Sequence, residues 1–131
     1  MARKLKITVE RFCKQLAVLE LNEAQIPLNF HLLTTLTRLV TLVKKIGPLV
    51  LINVPVTMRV EGSISSGFKT GEVLIVPSSR SLAVVAEDKE TLPFEVYKAG
   101  CVKDGLENIL KISDGTIVTL HAELMAEEQI I

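Results

Sequence analysis

The sequence holds no tryptophan, one tyrosine and four phenylalanines, so aromatic side chains make up only 4% of its 131 residues. That scarcity argues against surfaces that stack nucleic-acid bases or wall in proline rings, both of which use flat aromatic faces. The two cysteines, Cys13 and Cys101, form neither a CxxC nor a zinc-ligand cluster, and a domain of this size builds enough core to do without a disulfide. Both are expected as buried free thiols. The two histidines, His31 and His121, show no HxH or HExxH spacing, so no metal site is proposed. His121 is expected solvated on the polar face of the last strand, and His31 partly buried beside Phe30.

Neither sign of charge prevails. Fifteen Lys plus Arg balance fifteen Asp plus Glu, and no global field draws in nucleic acid or an anionic membrane. The Lys44-Lys45 pair and Lys69 are too few, with so little aromatic surface, to make a single-strand-binding platform. The longest wholly apolar run, 48–52, is far too short to span a bilayer. The opening Met-Ala-Arg-Lys leads into alternating residues rather than the apolar core of a secretory signal, so a cytoplasmic location is the default expectation. The seven glycines are dispersed, with neither GxGxxG nor a Lys-terminated P-loop. The run Gly62-Ser63-Ile64-Ser65-Ser66-Gly67 is not a GxSxG elbow, and flexibility explains its serines better than nucleophilic chemistry. No catalytic residue and no cofactor is named.

What is present is aliphatic: 48% of residues are hydrophobic and 23% charged. That composition offsets the entropy of ordering and fits one compact domain over 1–131. Residues 4–10 alternate, with Leu5, Ile7 and Val9 on one face, and read as a half-buried strand. Residues 16–21 are apolar on both faces and read as a more central strand, with Asn22 placed to cap the next element. Over 24–46, Leu32, Leu33, Leu36, Leu39, Val40, Val43 and Ile46 recur at helical spacing. Thr34, Thr35, Thr37, Val40, Thr41 and Val43 oppose one long helix, because β-branched side chains lose rotamer freedom there. A short helix over 27–36 followed by a hairpin across Gly47-Pro48 is the preferred reading.

Residues 61–71 form a Gly- and Ser-rich loop carrying Phe68, with the character of a lid. Strands come next over 72–77 and 81–86, joined by Pro77-Ser78-Ser79-Arg80. Asp104 with Glu107 resembles a capping box, opening a helix whose Leu106, Ile109 and Leu110 share a face. Asp114-Gly115 then turns the chain into an alternating strand over 117–124. Seven or eight strands with two short capping helices predict a mainly β fold, a closed barrel without exposed edges. If the terminal strands pair, Arg3, Lys4 and Lys6 face Glu123 and Glu127.

Three segments resemble the small prokaryotic family of cyclophilin-like proteins. They are Lys45-Ile46-Gly47-Pro48-Leu49-Val50-Leu51-Ile52 with Pro55-Val56, then Gly71-Glu72-Val73-Leu74-Ile75-Val76-Pro77, then Gly100-Cys101-Val102-Lys103-Asp104-Gly105-Leu106-Glu107. The resemblance implies a cyclophilin-like β-barrel of about eight strands with two capping helices. True cyclophilins are peptidyl-prolyl isomerases that use a strand arginine and an aromatic pocket. Here Asn53 lies near the arginine's place, and an amide lacks the charged guanidinium fork. The strand that carries a Phe pair in those enzymes reads Leu82-Ala83-Val84-Val85-Ala86. Fold likeness does not carry function with it.

The expected ligand-binding residues are Asn53, Arg59, Arg80 and Val84. The two arginines would lie near the rim of the cyclophilin-type groove, suited to a carboxylate or phosphate. The expected partner is a small molecule or peptide, with no nucleic acid and no membrane. The leading functional expectation is therefore a small-ligand or peptide-binding module. A weak peptidyl-prolyl isomerase and a structural or self-associating homo-oligomer, suggested by the apolar Ile130-Ile131, are the alternatives.

Overall fold

The computed structural model describes residues 3–61, 66–93 and 95–125. Ser63 and Ser65 of the loop, Glu127 and the Ile130-Ile131 pair lie outside them. Eight antiparallel strands close into a barrel in the order β1-β2-β7-β5-β6-β4-β3-β8. The strands are β1 (Lys4–Arg11), β2 (Lys14–Asn22), β3 (Arg38–Ile46), β4 (Leu49–Asn53), β5 (Glu72–Val76), β6 (Ser81–Val85), β7 (Tyr97–Asp104) and β8 (Ile117–Leu124), with helices α1 (Pro27–Thr34) and α2 (Leu106–Lys111). The ring closes where the first and last strands meet, Leu5 opposite Leu124 and Glu10 opposite Thr119.

Alternation fixes which side chains fill the barrel. Leu5, Ile7 and Val9 of β1, Ala17, Leu19 and Leu21 of β2, and Val118 and Leu120 of β8 are buried in one interior cluster. Their neighbours in sequence face outward. In β2 the alternation holds too: Leu16, Val18 and Glu20 are half-buried, so only one face of this strand is fully covered. The β3–β4 hairpin turns at Gly47, whose φ of +56° suits a residue without Cβ. Register shifts at Val9/Glu10, Val18/Leu19 and Val73/Leu74 are bulges that bend the sheet enough to close.

Strands β4, β5 and β6 are buried on both faces almost throughout. Inward residues such as Val50, Ile52, Val73, Ile75, Leu82 and Val84 join the interior. Outward ones, Leu49, Leu51, Leu74, Val76, Ala83 and Val85, form a second core beneath Phe68, Leu92 and Val96. Phe68 is 2% exposed, so it is a plug rather than the tip of a lid. Its segment is pinned: Phe68 and Lys89 exchange backbone hydrogen bonds of 2.6 and 3.0 Å, and Gly71 N donates to Val85 O at 2.9 Å. Asp88 Oδ1 accepts from both Thr70 N and Thr70 Oγ1.

The register sets two rims. The turns at Phe12-Cys13, at Gly47-Pro48 and before Ile117 share one rim with α2, while α1, residues 54–61 and Pro77–Ser79 share the other. Helix α1 begins at Pro27 as expected but stops at Thr34, two residues early. There Thr34 and Thr35 hydroxyls bond the His31 and Leu32 carbonyls at 2.6 Å, and the threonines beyond suit a pleated strand. Strand β7 escapes the sequence reading because Gly100 interrupts its pattern. Gly100 is needed for close approach, since a Cβ there would sit 1.7 Å from Glu20 O.

Other expectations require correction. Cys13 is exposed in the β1–β2 turn and Cys101 half-buried; both are free thiols. His31 is exposed, because Phe30 and Leu33 take the buried side of α1. Asn22 does not cap α1; its Oδ1 accepts from Ala24 N at 2.9 Å in a local turn. No capping box forms at α2, because Gly105, with φ +75°, supplies the N-cap position and no side-chain cap bond is made. Arg3 pairs with Glu23 at 2.9 Å and Lys4 with Glu20 at 3.3 Å, on the β2 side. Lys6 does stand opposite Glu123 across the closing seam. Among the described residues, no helix is long and apolar enough to cross a membrane.

Candidate functional site

The expected site residues fall into three places. Asn53 ends β4 opposite Ser81, its amide Nδ2 donating to Ser79 O at 3.4 Å. Arg80 lies one residue before Ser81, in the left-handed region at φ +49°. Its carbonyl accepts from Val54 N at 2.8 Å. Asn53 and Arg80 are therefore neighbours on the α1 rim, both exposed. Val84 is 0% exposed and points into the barrel.

Arg59 is placed by a different contact. Asn29 of α1, itself 0% exposed, donates from Nδ2 to Arg59 O at 2.8 Å and accepts at Oδ1 from Arg59 N at 2.7 Å. The side-chain amide thus mimics a strand neighbour for the Arg59 backbone. Glu61 completes this clasp, accepting from Leu28 N at 3.1 Å and from Asn29 N and Nδ2 at 2.7 Å. A carboxylate 32 residues downstream of Asn29 therefore supplies the N-terminal cap that α1 lacks locally, where anionic charge meets the free N–H groups. This clasp gives Arg59 a structural backbone role and leaves its side chain exposed.

Nearby, the buried Tyr97 hydroxyl has no hydrogen-bond partner among the described residues. Burial pushes its pKa up, and the Glu95 charge adds to that shift. Among the described residues no three of His, Cys, Asp and Glu are grouped as a metal ion requires.

Sequence reasoning missed the surface at the opposite rim. A depression of about 560 Å³ opens between the β1–β2 turn and the start of β8, lined by Glu10, Arg11, Phe12, Asp114, Ile117 and Thr119 among others. Phe12 is 87% exposed and Ile117 61%. Ile117 stands opposite Leu42 and Thr119 opposite Val40, and Val40 is 63% exposed. Four exposed apolar side chains, Phe12, Ile117, Leu42 and Val40, therefore gather at the rim end of the outer face of β8, β3 and the β1–β2 turn. Polar groups flank it: His121 Nε2 lies 3.3 Å from Glu10 Oε1, and Arg38 stands opposite His121.

The turn that carries Phe12 is strained. Phe12 and Cys13 have φ of +53° and +63°, a pair of left-handed residues usually filled by Asn-Gly. Each non-glycine residue there costs roughly 1 kcal/mol. The Phe12 ring recovers little by packing, its ring contact being with the Arg11 guanidinium at 5.0 Å. The legible signal was this bulky pair in a two-residue hairpin turn, where composition favours small polar residues.

No protein-family model matches the chain, and no curated protein gives a significant match. Among solved structures the barrel is similar to the solution structure of the hypothetical protein AF2241 from Archaeoglobus fulgidus. The TM-score is 0.68 at 16% identity, covering 91% of this chain and 93% of that one. At that identity the likeness is one of fold: a closed antiparallel eight-stranded barrel.

Proposed function

We propose that this protein is a cyclophilin-like barrel that serves as a binding module, taking an apolar segment of a peptide or small amphipathic molecule against the outer face of β1, β8 and β3. The carrying observation is Phe12, a large apolar side chain held 87% exposed on a strained turn. Strain and exposure both cost stability, and such outliers cluster at functional sites. The adjoining depression and the exposed Ile117 supply the apolar contact, and Glu10, Arg11 and Asp114 the polar orientation.

The cyclophilin-like affiliation rests on the three sequence segments together with the barrel architecture. Isomerase chemistry is the weaker reading. By the sequence resemblance Asn53 lies near the place where a guanidinium would be needed, and Val84 is enclosed in the interior rather than presented to a proline ring.

Titrating isotope-labelled protein with short peptides that vary in apolar content, while following backbone amides, tests the proposal. Shifts centred on Arg11, Phe12, Ile117 and Thr119 are expected. Shifts centred on Asn53 and Arg80 would move the site to the other rim, and the absence of any response would remove the binding reading. A protease-coupled prolyl-isomerase assay is expected to stay at background; clear acceleration would overturn the non-catalytic reading.

A further inference from the structure

Strand β3 changes partner part way along. Residues 38–42 find register partners on β8 only, from Arg38 opposite His121 to Leu42 opposite Ile117, and partners on β4 begin at Val43 opposite Ile52. The bonds at either end of the β8 pairing show which way the main chain faces. Thr37 O accepts from Ala122 N at 3.0 Å, while Val43 N donates to Thr116 O at 2.9 Å and Val43 O accepts from Gly115 N at 2.8 Å. Thr37, Leu39, Thr41 and Val43 therefore turn their N–H and C=O groups toward β8, and by the two-residue alternation of a strand Arg38, Val40 and Leu42 turn theirs the other way. On that side β4 has already ended. Its last residue, Asn53, accepts the Thr41 hydroxyl on its carbonyl at 2.6 Å, and Val54 N turns away to Arg80 O at 2.8 Å. Among the described residues nothing bonds the outer main-chain groups of Arg38 or Val40, and Val40 is 63% exposed. The opposite half-edge of β3 is filled by the chain itself, Lys45 N donating to Asp114 Oδ1 at 2.7 Å.

We infer that this free half-edge takes an extended acidic peptide segment, which adds a short strand alongside residues 38–42. Arg38 and Val40 each offer one N–H and one C=O, and another main chain in extended form matches their spacing. Charge then selects the peptide. Arg38, Arg59 and Arg80 are exposed at this rim, and none has a carboxylate partner among the described residues. The acids nearby are engaged elsewhere: Glu61 accepts from Leu28 and Asn29, Glu23 pairs with Arg3, Glu123 stands opposite Lys6, and Glu95 lies beside the Tyr97 hydroxyl. On an added strand the residues beside Arg38 and Val40 lie two apart on one outward face, which favours an acid and an apolar residue at that spacing. So short an edge fits weak, reversible binding. The inference stands on main-chain groups at the α1 rim and does not depend on the Phe12 face.

Amide hydrogen exchange and chemical shifts of the full chain test this with two probes, a short end-capped peptide of alternating Glu and Val and its Lys/Val counterpart. In the free protein the Val40 amide should exchange quickly, and the Leu39 and Thr41 amides, which face β8, slowly. The Glu/Val peptide should slow exchange at Val40 and shift the Arg38, Val40 and Asn53 amides, and the Lys/Val peptide should do neither. Arg38→Glu should weaken binding at least about tenfold. Val40→Pro, which removes only the N–H on the free edge, should abolish binding while circular dichroism shows the fold kept; if that variant does not fold, Arg38→Glu decides. A Val40 amide already protected in the free chain overturns the inference, as does protection that rises with protein concentration alone, the mark of two copies pairing edge to edge. Equal response to both peptides overturns it as well. Phe12→Ser should leave the Val40 response intact, and its loss in that variant would assign the peptide to the Phe12 face instead.

Discussion

Glu61 and Asn29 hold each other at 2.7 Å across the rim of the barrel, the carboxylate accepting from both the backbone and the side-chain amide of the helix residue. Asn29 is wholly buried, and removing it strands the N–H and C=O of Arg59 that it satisfies. Asn29→Ala should therefore destabilise by roughly 2–4 kcal/mol, whereas Glu61→Gln, which keeps one acceptor, should cost about 1 kcal/mol. Urea midpoints measured at constant m-value check both.

Gly100 and Gly105 sit where β7 and its turn press against β2. A Cβ would lie 1.7 Å from Glu20 O at the first and 2.0 Å from Leu16 O at the second. Alanine at either position should cost several times more than at Gly47, which has open space around it and only its positive φ to satisfy. That control should lose about 1 kcal/mol. Similar midpoints for all three variants would show that β2 and β7 can part without penalty.

Acid sensitivity should be traceable to two carboxylates. The Arg3 side-chain and backbone hydrogen bonds hold Glu23 below its ordinary value of 4.5, and the Thr70 backbone and hydroxyl bonds hold Asp88 below 3.8. Both groups have a lower pKa folded than unfolded, so their contribution is fully present above those ordinary values. It is lost as pH falls through the lower, folded ones. Arg3→Ala and Thr70→Val should each flatten the acid limb of the stability–pH profile by lowering its neutral plateau toward an unchanged acid end. An unchanged limb would remove the named carboxylate from the account.

The strained turn predicts a trade of function for stability. Replacing Phe12-Cys13 by Asn-Gly suits the left-handed conformation of both positions and should raise stability by about 1–2 kcal/mol. The same change should abolish the peptide response of the outer face. Stabilisation without loss of that response would separate the strain from function.

Phe68→Ala should cost about 3–5 kcal/mol, the range for emptying a buried aromatic site, because Phe68 closes the second core over β4, β5 and β6. A loss near that of a surface substitution would restore the lid reading. Thermal or chemical unfolding decides between them.

The barrel was legible where burial is one-sided: Leu5, Ile7 and Val9, or Val118 and Leu120, announce their faces by alternation alone. The threonines after Thr34 correctly outweighed the helical spacing of Leu36, Leu39 and Val43. Strand β7 was hidden because Gly100 serves a steric demand set by β2, which no local pattern records. The capping of α1 by Glu61 was hidden for a related reason, since the two meet only once the chain has folded. Of the expected site residues, Asn53 and Arg80 fall at one rim, a pairing the sequence did not announce, while the inward direction of Val84 depends on strand register. The face around Phe12 was missed because aliphatic residues on β3 and β8 look the same in sequence whether they point in or out.

The seam between the first and last strands also governs how the chain is made. During synthesis on the ribosome, β1 can pair with β2 early, but its other edge awaits β8, whose residues emerge more than a hundred positions later. Until then the nascent hairpin carries an unpaired, aliphatic-backed strand, the kind of edge that recruits other chains. The emergence of β8, rather than any local turn, is the event that withdraws that hazard.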